Sequence, residues 1–433
     1  MLQNIDSLVE ASPDPEAVTK RLDRLYQDVR AVNELQRLPP ERLRDLVTII
    51  GISNFLFHFL IRHPEAINTI GNISTPEDQS VADIRDFEGL RLYKYRELLK
   101  ITWMDISRTI DYEFVLKALS ELAEIIVRKA IQLSINQDSY NKLVHSLSVM
   151  AMGKLGAGEL NYSSDIDLVF ISVNPETYNG DYHDLQKLMI SAIRKLNSSL
   201  EETTEEGFLY RVDMKLRPWG SAGPMVMAID DTEHYYEASS EPWERFAWLR
   251  ARCIAGYRQL GDDIKQRMRP FIFMRSLSTD DLGRFIEIKN EMTKVRKRKG
   301  FWNVKMGEGG IRDIEFFIQM LQIVNAAKHE PLQTTNTLEV LAGLSETGLI
   351  EPDDAQQLHR SYVFLRRLEN RLQMIDERQT HDLPDAWELR LRLARSLIPA
   401  GKSNDEILGT FERELYINQS IARRFFDRIL PGE

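Results

Sequence analysis

The sequence predicts a predominantly helical α+β protein, in which a small mixed sheet is flanked by an N-terminal helical region and a C-terminal helical bundle. Apolar residues recur at helical spacing from residue 15 to about 134, and again after 286. Between them the pattern changes to strand-like runs, Leu147 to Met152, Ile166 to Phe170 and Gly207 to Pro218, separated by glycine turns. At 433 residues the chain is too long for one ordinary core. These shifts divide it into 1–134, 135–285 and 286–433.

In the first region Val18, Leu22, Leu25, Val29 and Val32 make one apolar stripe, and Pro39-Pro40 breaks the chain before the next helix. Leu46 to Ile61 is the most apolar stretch. Thr48, Ser53, Asn54 and His58 interrupt it, so it reads as a buried helix rather than a membrane span. Asp86 to Ser134 reads as two helices meeting near Asp111.

The middle region carries the chemistry. Leu147 to Met152 reads as a buried strand, and Gly153 and Gly156 after it let backbone approach a ligand closely. In Ser164-Asp165-Ile166-Asp167-Leu168-Val169-Phe170 the alternation puts Asp165 and Asp167 on one side and Ile166, Leu168 and Phe170 on the other. Two hard oxygen ligands at this spacing suit Mg²⁺ shared with substrate phosphates, and carboxylates alone do not distinguish it from Mn²⁺. Gly207 to Pro218 alternates likewise, with Leu209, Arg211, Asp213 and Lys215 on one face and Arg217 just beyond. Three carboxylates on neighbouring strands can hold two metal ions that clamp the attacking and leaving oxygens of a phosphoryl group. The alternative for each motif is a solvated carboxylate pair and an edge strand of alternating charge. A helix over Leu185 to Leu200 covers the sheet, and Met225 to Ile229 is a short strand.

Tyr235, Tyr236, Trp243, Phe246 and Trp248 follow at helical spacing and read as core, with base stacking as the alternative. The only cysteine, Cys253, falls in the same pattern and reads as a packed small hydrophobe. Lys294 to Lys299 reads as a solvated helix end, with phosphate contact as the alternative. Lys305 to Glu315 carries three glycines, which implies a tight turn against another surface, fixed by an Arg–carboxylate pair.

The stretch Gly153 to Phe170 (GKLGAGELNYSSDIDLVF), followed by Tyr210 to Pro218 (YRVDMKLRP), resembles the glutamine synthetase adenylyltransferase family, part of the polymerase-beta-type nucleotidyltransferase superfamily. Ser221 to Pro224, Trp243-Glu244-Arg245, Arg250-Ala251-Arg252, Gly307 to Phe316 and Leu365 to Asn370 fit in the same order. The resemblance implies a polymerase-beta-type sheet and a metal-dependent nucleotidyltransferase acting on glutamine synthetase. For the turn at Lys305 to Glu315 the resemblance alone implies the other reading, packing beside the catalytic cleft. Asp165, Asp167 and Asp213 would hold Mg²⁺ or Mn²⁺, and Gly153, Lys154, Gly156, Ser164, Lys215 and Arg217 would face nucleotide or phosphate. Full-length members carry two related halves, and this chain has the length of one. Gly158 to Asn161, Ser163 to Asp167, Leu368 to Gln373, Gln379-Thr380-His381 and Leu383-Pro384 look more like the adenylyl-removing half. That half uses inorganic phosphate to release ADP from adenylyl-tyrosine. Forward adenylylation from ATP is one alternative; a non-catalytic half that binds glutamine synthetase and a PII-type signal protein is the other.

Composition agrees with this expectation. A net charge of −10 argues against nonspecific nucleic-acid binding, which needs excess basic residues. One cysteine allows neither an intrachain disulfide nor a cysteine-rich zinc site, which suits a reducing cytoplasm. Residues 1–16 lack a basic start followed by an apolar run, so they do not read as a signal peptide. The eight histidines show no metal-ligand spacing, and no P-loop is present.

Overall fold

Short polar residues cut the N-terminal region into short helices: α1 (Ile5–Glu10), α2 (Pro15–Leu25), α3 (Val29–Arg37), α4 (Pro40–Ile52) and α5 (Asn54–Arg62). The computed structural model describes residues 5–274, 283, 287, 302–398 and 403–428, so Lys294 to Lys299 lies outside the described residues. The stripe from Val18 to Val32 is not continuous. Asp28 is extended and accepts from Arg30 N, starting α3 afresh and leaving Val29 74% exposed. Leu46 to Ile61 is two helices rather than one. Ser53 is extended and accepts from Leu56 N, and the axes of α4 and α5 bend by 116°. Among the described residues no single helix is long and apolar enough to cross a membrane.

Asp86 caps α6 (Phe87–Ser107), and α7 (Tyr112–Ser134) begins after Asp111, as the sequence predicts. α7 is buried along most of its length and packs against α6 and the sheet. After α8 (Gln137–Leu143) come β1 (Leu147–Met152), the one-turn α9 (Gly153–Gly156), β2 (Ile166–Ser172), α10 (Tyr182–Glu201), β3 (Val212–Asp213) and β4 (Val226–Ala228). Then follow α11 (Ile229–Ala238), α12 (Pro242–Trp248), β5 (Arg252–Gly256) and α13 (Arg258–Arg269). The strand order is β3-β2-β1-β5, with β4 also on β2. β1 is antiparallel to β2 and β5, whereas β2 is parallel to β3 and β4. The sheet is mixed, and the chain is α+β and predominantly helical.

Both faces of the central strands are covered. Val149, Ala151, Leu168 and Phe170 enter one core with α7 and α10. Met150, Met152, Val169 and Ile171 enter a second, with Tyr236, Trp248, Ile264 and Met268. The polar face expected for β2 is therefore confined to its start, at Asp165 and Asp167; deeper along the same face helices replace water. The predicted strand from Gly207 to Pro218 shrinks to Val212–Asp213. Leu209 is fully buried, and beyond Asp213 the chain curls because the Arg217 guanidinium donates to the carbonyls of Met214, Ser221 and Gly223. Cys253 lies on β5 rather than a helix, half-buried beside Ser148 Oγ at 3.3 Å.

The C-terminal helices are α14 (Ile311–Asn325), α15 (Thr337–Glu346), α16 (Pro352–Met374), α17 (Trp387–Leu397) and α18 (Asn404–Asp427). They share a core that includes Ile314, Leu341, Leu365, Phe411 and Phe425. α16 also reaches beyond that bundle. Asn370 donates to Tyr112 Oη at 2.6 Å, Arg371 pairs with Asp105, and Arg366 donates to Glu159 O at 2.5 Å.

Candidate active site

β1, β2 and β3 bring Gly153, Asp167 and Asp213 side by side. Met152 pairs with Asp167 in the antiparallel ladder, and Asp167 pairs with Asp213 in the parallel one. Gly153 has φ +56°, and a Cβ there would lie 2.4 Å from Asp167 Oδ2. Glycine is needed at this point for both the left-handed turn and the room taken by the carboxylate. Gly156 serves a different purpose. A Cβ there would lie 1.8 Å from Arg250 O and 2.5 Å from Ala151 O, so it closes a backbone seam and does not face the cleft.

Two hollows adjoin at Asp165 and Gln379. One, of about 340 Å³, is lined by Gly153, Lys154, Ser164, Asp165 and Asp167, together with side chains of α12 and the C-terminal segment. The other, about 770 Å³ and more open, holds Asp213, Lys215 and Arg217. A further hollow of about 770 Å³, beside α7 and β5, contains none of the predicted site residues.

The three carboxylates differ in their partners. Asp165 accepts from Arg211 Nε at 2.7 Å and Gln379 Nε2 at 3.1 Å. Asp213 accepts from Lys215 N at 2.7 Å and Lys215 Nζ at 3.1 Å. Asp167 makes no hydrogen bond or ion pair to a described residue. Burial, then the like charges of Asp213 and Asp165, push its carboxyl up to about 6, against the pull of Lys305 and Lys154. Among the described residues no three His, Cys, Asp or Glu side chains form a ready metal cage. The donor set nevertheless fits a hard divalent cation. Asp167 is an uncompensated carboxylate next to two others, and a cation would relieve that repulsion.

Several predicted phosphate ligands have other partners. Lys154 Nζ donates to both carboxylate oxygens of Glu369 at 2.9 Å. Burial lowers this amine to about 8 despite Glu369. Burial alone would raise Glu369, yet Lys154, His381 and Arg366 hold it well below the usual range. Arg217 is committed to three backbone carbonyls, as described above. Ser164 is half-buried on the cavity wall, and Lys215 is exposed.

Residues the motif reading gave no role lie directly behind the site. Glu159 accepts from Thr337 N at 2.5 Å and Tyr362 Oη at 2.7 Å, and lies 3.5 Å from Arg366. Arg250 pairs with Glu315 at 3.2 Å; burial opposes the charge on Glu315, but Arg250, then Lys154, hold its carboxyl at about 2. His381 Nδ1 lies 3.0 Å from Glu369. Arg366 and Glu369, one helical turn apart on a stripe shared with Tyr362, Leu365 and Leu372, were the available signal: charges on an apolar stripe need partners.

The aromatic residues divide into two groups. Tyr235, Tyr236 and Trp248 are buried as expected, but Trp243 is 44% exposed and lines the smaller cavity with Phe246. Reading Trp243 as core is thus corrected, because it stands at the cleft edge, whereas Phe246 is partly buried against the core and also lines the cavity. Phe246 stacks on Phe316 of α14, with centroids 5.7 Å apart and planes 14° apart. In the glycine turn Asp313 accepts from Gly309 N at 2.8 Å, and Arg312 makes no ion pair with a described residue.

Residues 43–267 match the family model of glutamate-ammonia ligase adenylyltransferase, and residues 284–430 match that of GlnD PII-uridylyltransferase. The chain is 34% identical over 452 aligned residues to the bifunctional glutamine synthetase adenylyltransferase/adenylyl-removing enzyme of Thioalkalivibrio sulfidiphilus, covering 96% of this chain and 45% of that protein. The proteins of the same name from Methylococcus capsulatus and Shewanella loihica are 34% and 32% identical, over 82% and 92% of this chain and 40% and 44% of their own lengths. The chain thus spans less than half the length of these curated relatives.

Proposed function

We propose, from the premise that this chain belongs to the glutamate-ammonia ligase adenylyltransferase family, that its cleft transfers an adenylyl group on a tyrosine of glutamine synthetase. The observation that carries this reading is the in-register pairing of Asp167, two residues after Asp165, with Asp213, where a cavity lined with cations and aromatic rings adjoins the hollow that holds Asp213. The favoured direction is removal, supported by the motifs resembling the removing half. An oxygen of monohydrogen phosphate bonds to the α-phosphorus of adenylyl-tyrosine. The bond from phosphorus to the phenolic oxygen breaks, the phosphate's proton ends on that oxygen, and ADP and tyrosine leave.

Asp165, Asp167 and Asp213 would hold Mg²⁺ or Mn²⁺, which would supply charge neutralisation for the phosphoryl oxygens and the leaving phenolate. Arg211 and Lys215 hold Asp165 and Asp213 in place through their hydrogen bonds. Trp243 and the Phe246–Phe316 pair offer adenine a stacking face. Lys154, fixed by Glu369, adds a buried positive charge beside Asp167. Phosphate is anionic at neutral pH, so the reaction requires no strong protein base.

Forward adenylylation from ATP is the second reading, since the relatives' name covers both reactions. The uridylyltransferase-family match over 284–430 supports a PII-type signal protein as regulatory partner. A reducing cytoplasm is the compartment this reading takes.

The test is incubation with adenylylated glutamine synthetase, Mg²⁺, phosphate and uridylylated PII-type protein. Phosphate-dependent release of ADP is expected. Incorporation of AMP from ATP into unmodified synthetase, without ADP release, would reverse the direction. Neither product, with binding retained, would leave a regulatory module instead of an enzyme.

A further inference from the structure

The cations that line the smaller cavity fall into two groups. Lys154 is committed to Glu369, and Arg250 to Glu315 and Thr337. Lys305 and Arg312 make no ion pair or side-chain hydrogen bond to a described residue, although both line the cavity with Asp165 and Asp167. They are also held together: Arg312 N donates to Lys305 O at 3.0 Å. The turn that carries Lys305 is braced by Asn303, whose Oδ1 accepts from Lys305 N at 3.1 Å and Met306 N at 2.7 Å, and Arg312 stands in the first turn of α14 that follows. Lys305 acts electrostatically on both Asp167 and Lys154, so its charge falls on the Asp167 carboxylate of β2.

We propose that Lys305 and Arg312 form an oxyanion subsite beside those carboxylates, taking a phosphate group either as free inorganic phosphate or as the distal phosphates of a nucleoside triphosphate. The inference rests on the adenylyl-transfer reading of the cleft. Two cations that make no ion pair to a described residue, one on a braced turn and one in the helical turn after it, are suited to a phosphate dianion. The guanidinium supplies a planar fork and the ammonium a compact charge, both making charge-assisted bonds. The nearby carboxylates make no ion pair with them, although Glu315 feels the charge of Arg312 and Asp167 that of Lys305. Glu315 is held by Arg250, Asp165 by Arg211 and Gln379, and Asp167 awaits a cation of its own. Because both cations come from the segment after residue 284 and the carboxylates from the segment before 267, the site is built jointly by the two family-matched parts of the chain.

The experiment titrates the full chain with inorganic phosphate alone, with ATP and with AMP, by calorimetry and thermal shift. Wild type is compared with Lys305→Met, Arg312→Gln and the charge-keeping Arg312→Lys. Loss of phosphate affinity by about tenfold or more in the first two variants, with partial recovery in Arg312→Lys and AMP unchanged, is expected for free phosphate. The same loss for ATP alone assigns the subsite to nucleotide phosphates. Unchanged affinity for both ligands in both neutral variants overturns the proposal. Arg312 is exposed, and Arg312→Glu provides a second surface variant should Lys305→Met fold poorly. No turnover is measured, so absence of adenylyl transfer in wild type would sink the functional reading and leave the binding result standing.

Discussion

Lys154 Nζ lies 2.9 Å from both oxygens of Glu369, tying the turn after β1 to the C-terminal part of α16 across 215 residues of sequence. Glu369 is fully buried and the Lys154 side chain only 12% exposed, so solvent gives the pair little support. Removing one partner leaves the other buried without its counter-charge. Glu369→Leu is expected to cost about 3 kcal/mol, and Lys154→Met/Glu369→Leu together less than the sum of the two single changes. Urea unfolding of the four proteins measures this; strict additivity would show that the pair is not coupled.

The same lysine predicts a pH dependence. Its folded value is about 8, below the unfolded value, so the folded chain binds this proton less tightly. The contribution to stability is present above the unfolded value of about 10.4 and is lost as pH falls through about 8. Wild type should therefore gain stability relative to Lys154→Met between pH 8 and 10, by about 2 kcal/mol. A flat difference across that range would contradict the assignment.

Asp167 carries the opposite sign. Its folded value of about 6 lies above the unfolded value, so its stabilising contribution is full only below the unfolded value and is lost as pH rises through 6. At pH 7.5 without divalent metal, Asp167→Asn is expected to be more stable than wild type by about 1–2 kcal/mol, and the advantage should vanish near pH 4. Mg²⁺ should raise the melting temperature of wild type more than that of the variant, which should lack transfer activity. An equal metal response in both proteins would remove Asp167 from the metal site.

The two glycines of α9 separate site from scaffold. In Gly153→Ala the new methyl meets the Asp167 carboxylate and the φ of +56° is strained, so activity should fall more than tenfold for about 1–2 kcal/mol of stability. In Gly156→Ala the methyl meets the carbonyls of Arg250 and Ala151, which cannot yield as a side chain does. That variant should lose more than about 3 kcal/mol or fail to accumulate. Equal losses of stability in the two would refute this distinction.

Periodicity was sufficient for the long elements. α6, α7, α10, β1 and the two-helix reading around Asp111 follow from patterns contained within one element. Where a side chain's surroundings came from elsewhere, the pattern misled. Val29 continues an apolar stripe but is exposed, because Asp28 starts a new helix. The alternation from Gly207 to Pro218 resembles a strand, yet only Val212 and Asp213 find a partner in β2.

By itself the sequence determined the helical α+β class, the carboxylates at 165, 167 and 213, and the glycine turn before them, since these depend on residues a few positions apart. Tertiary structure alone decided which charges are spent and which are free. Lys154 and Arg250 are neutralised by Glu369 and Glu315, while Lys305 and Arg312 are left facing the cleft. The reason is physical: spacing fixes the direction in which a side chain points, but a buried charge is governed by whichever partner the fold brings within a few ångströms.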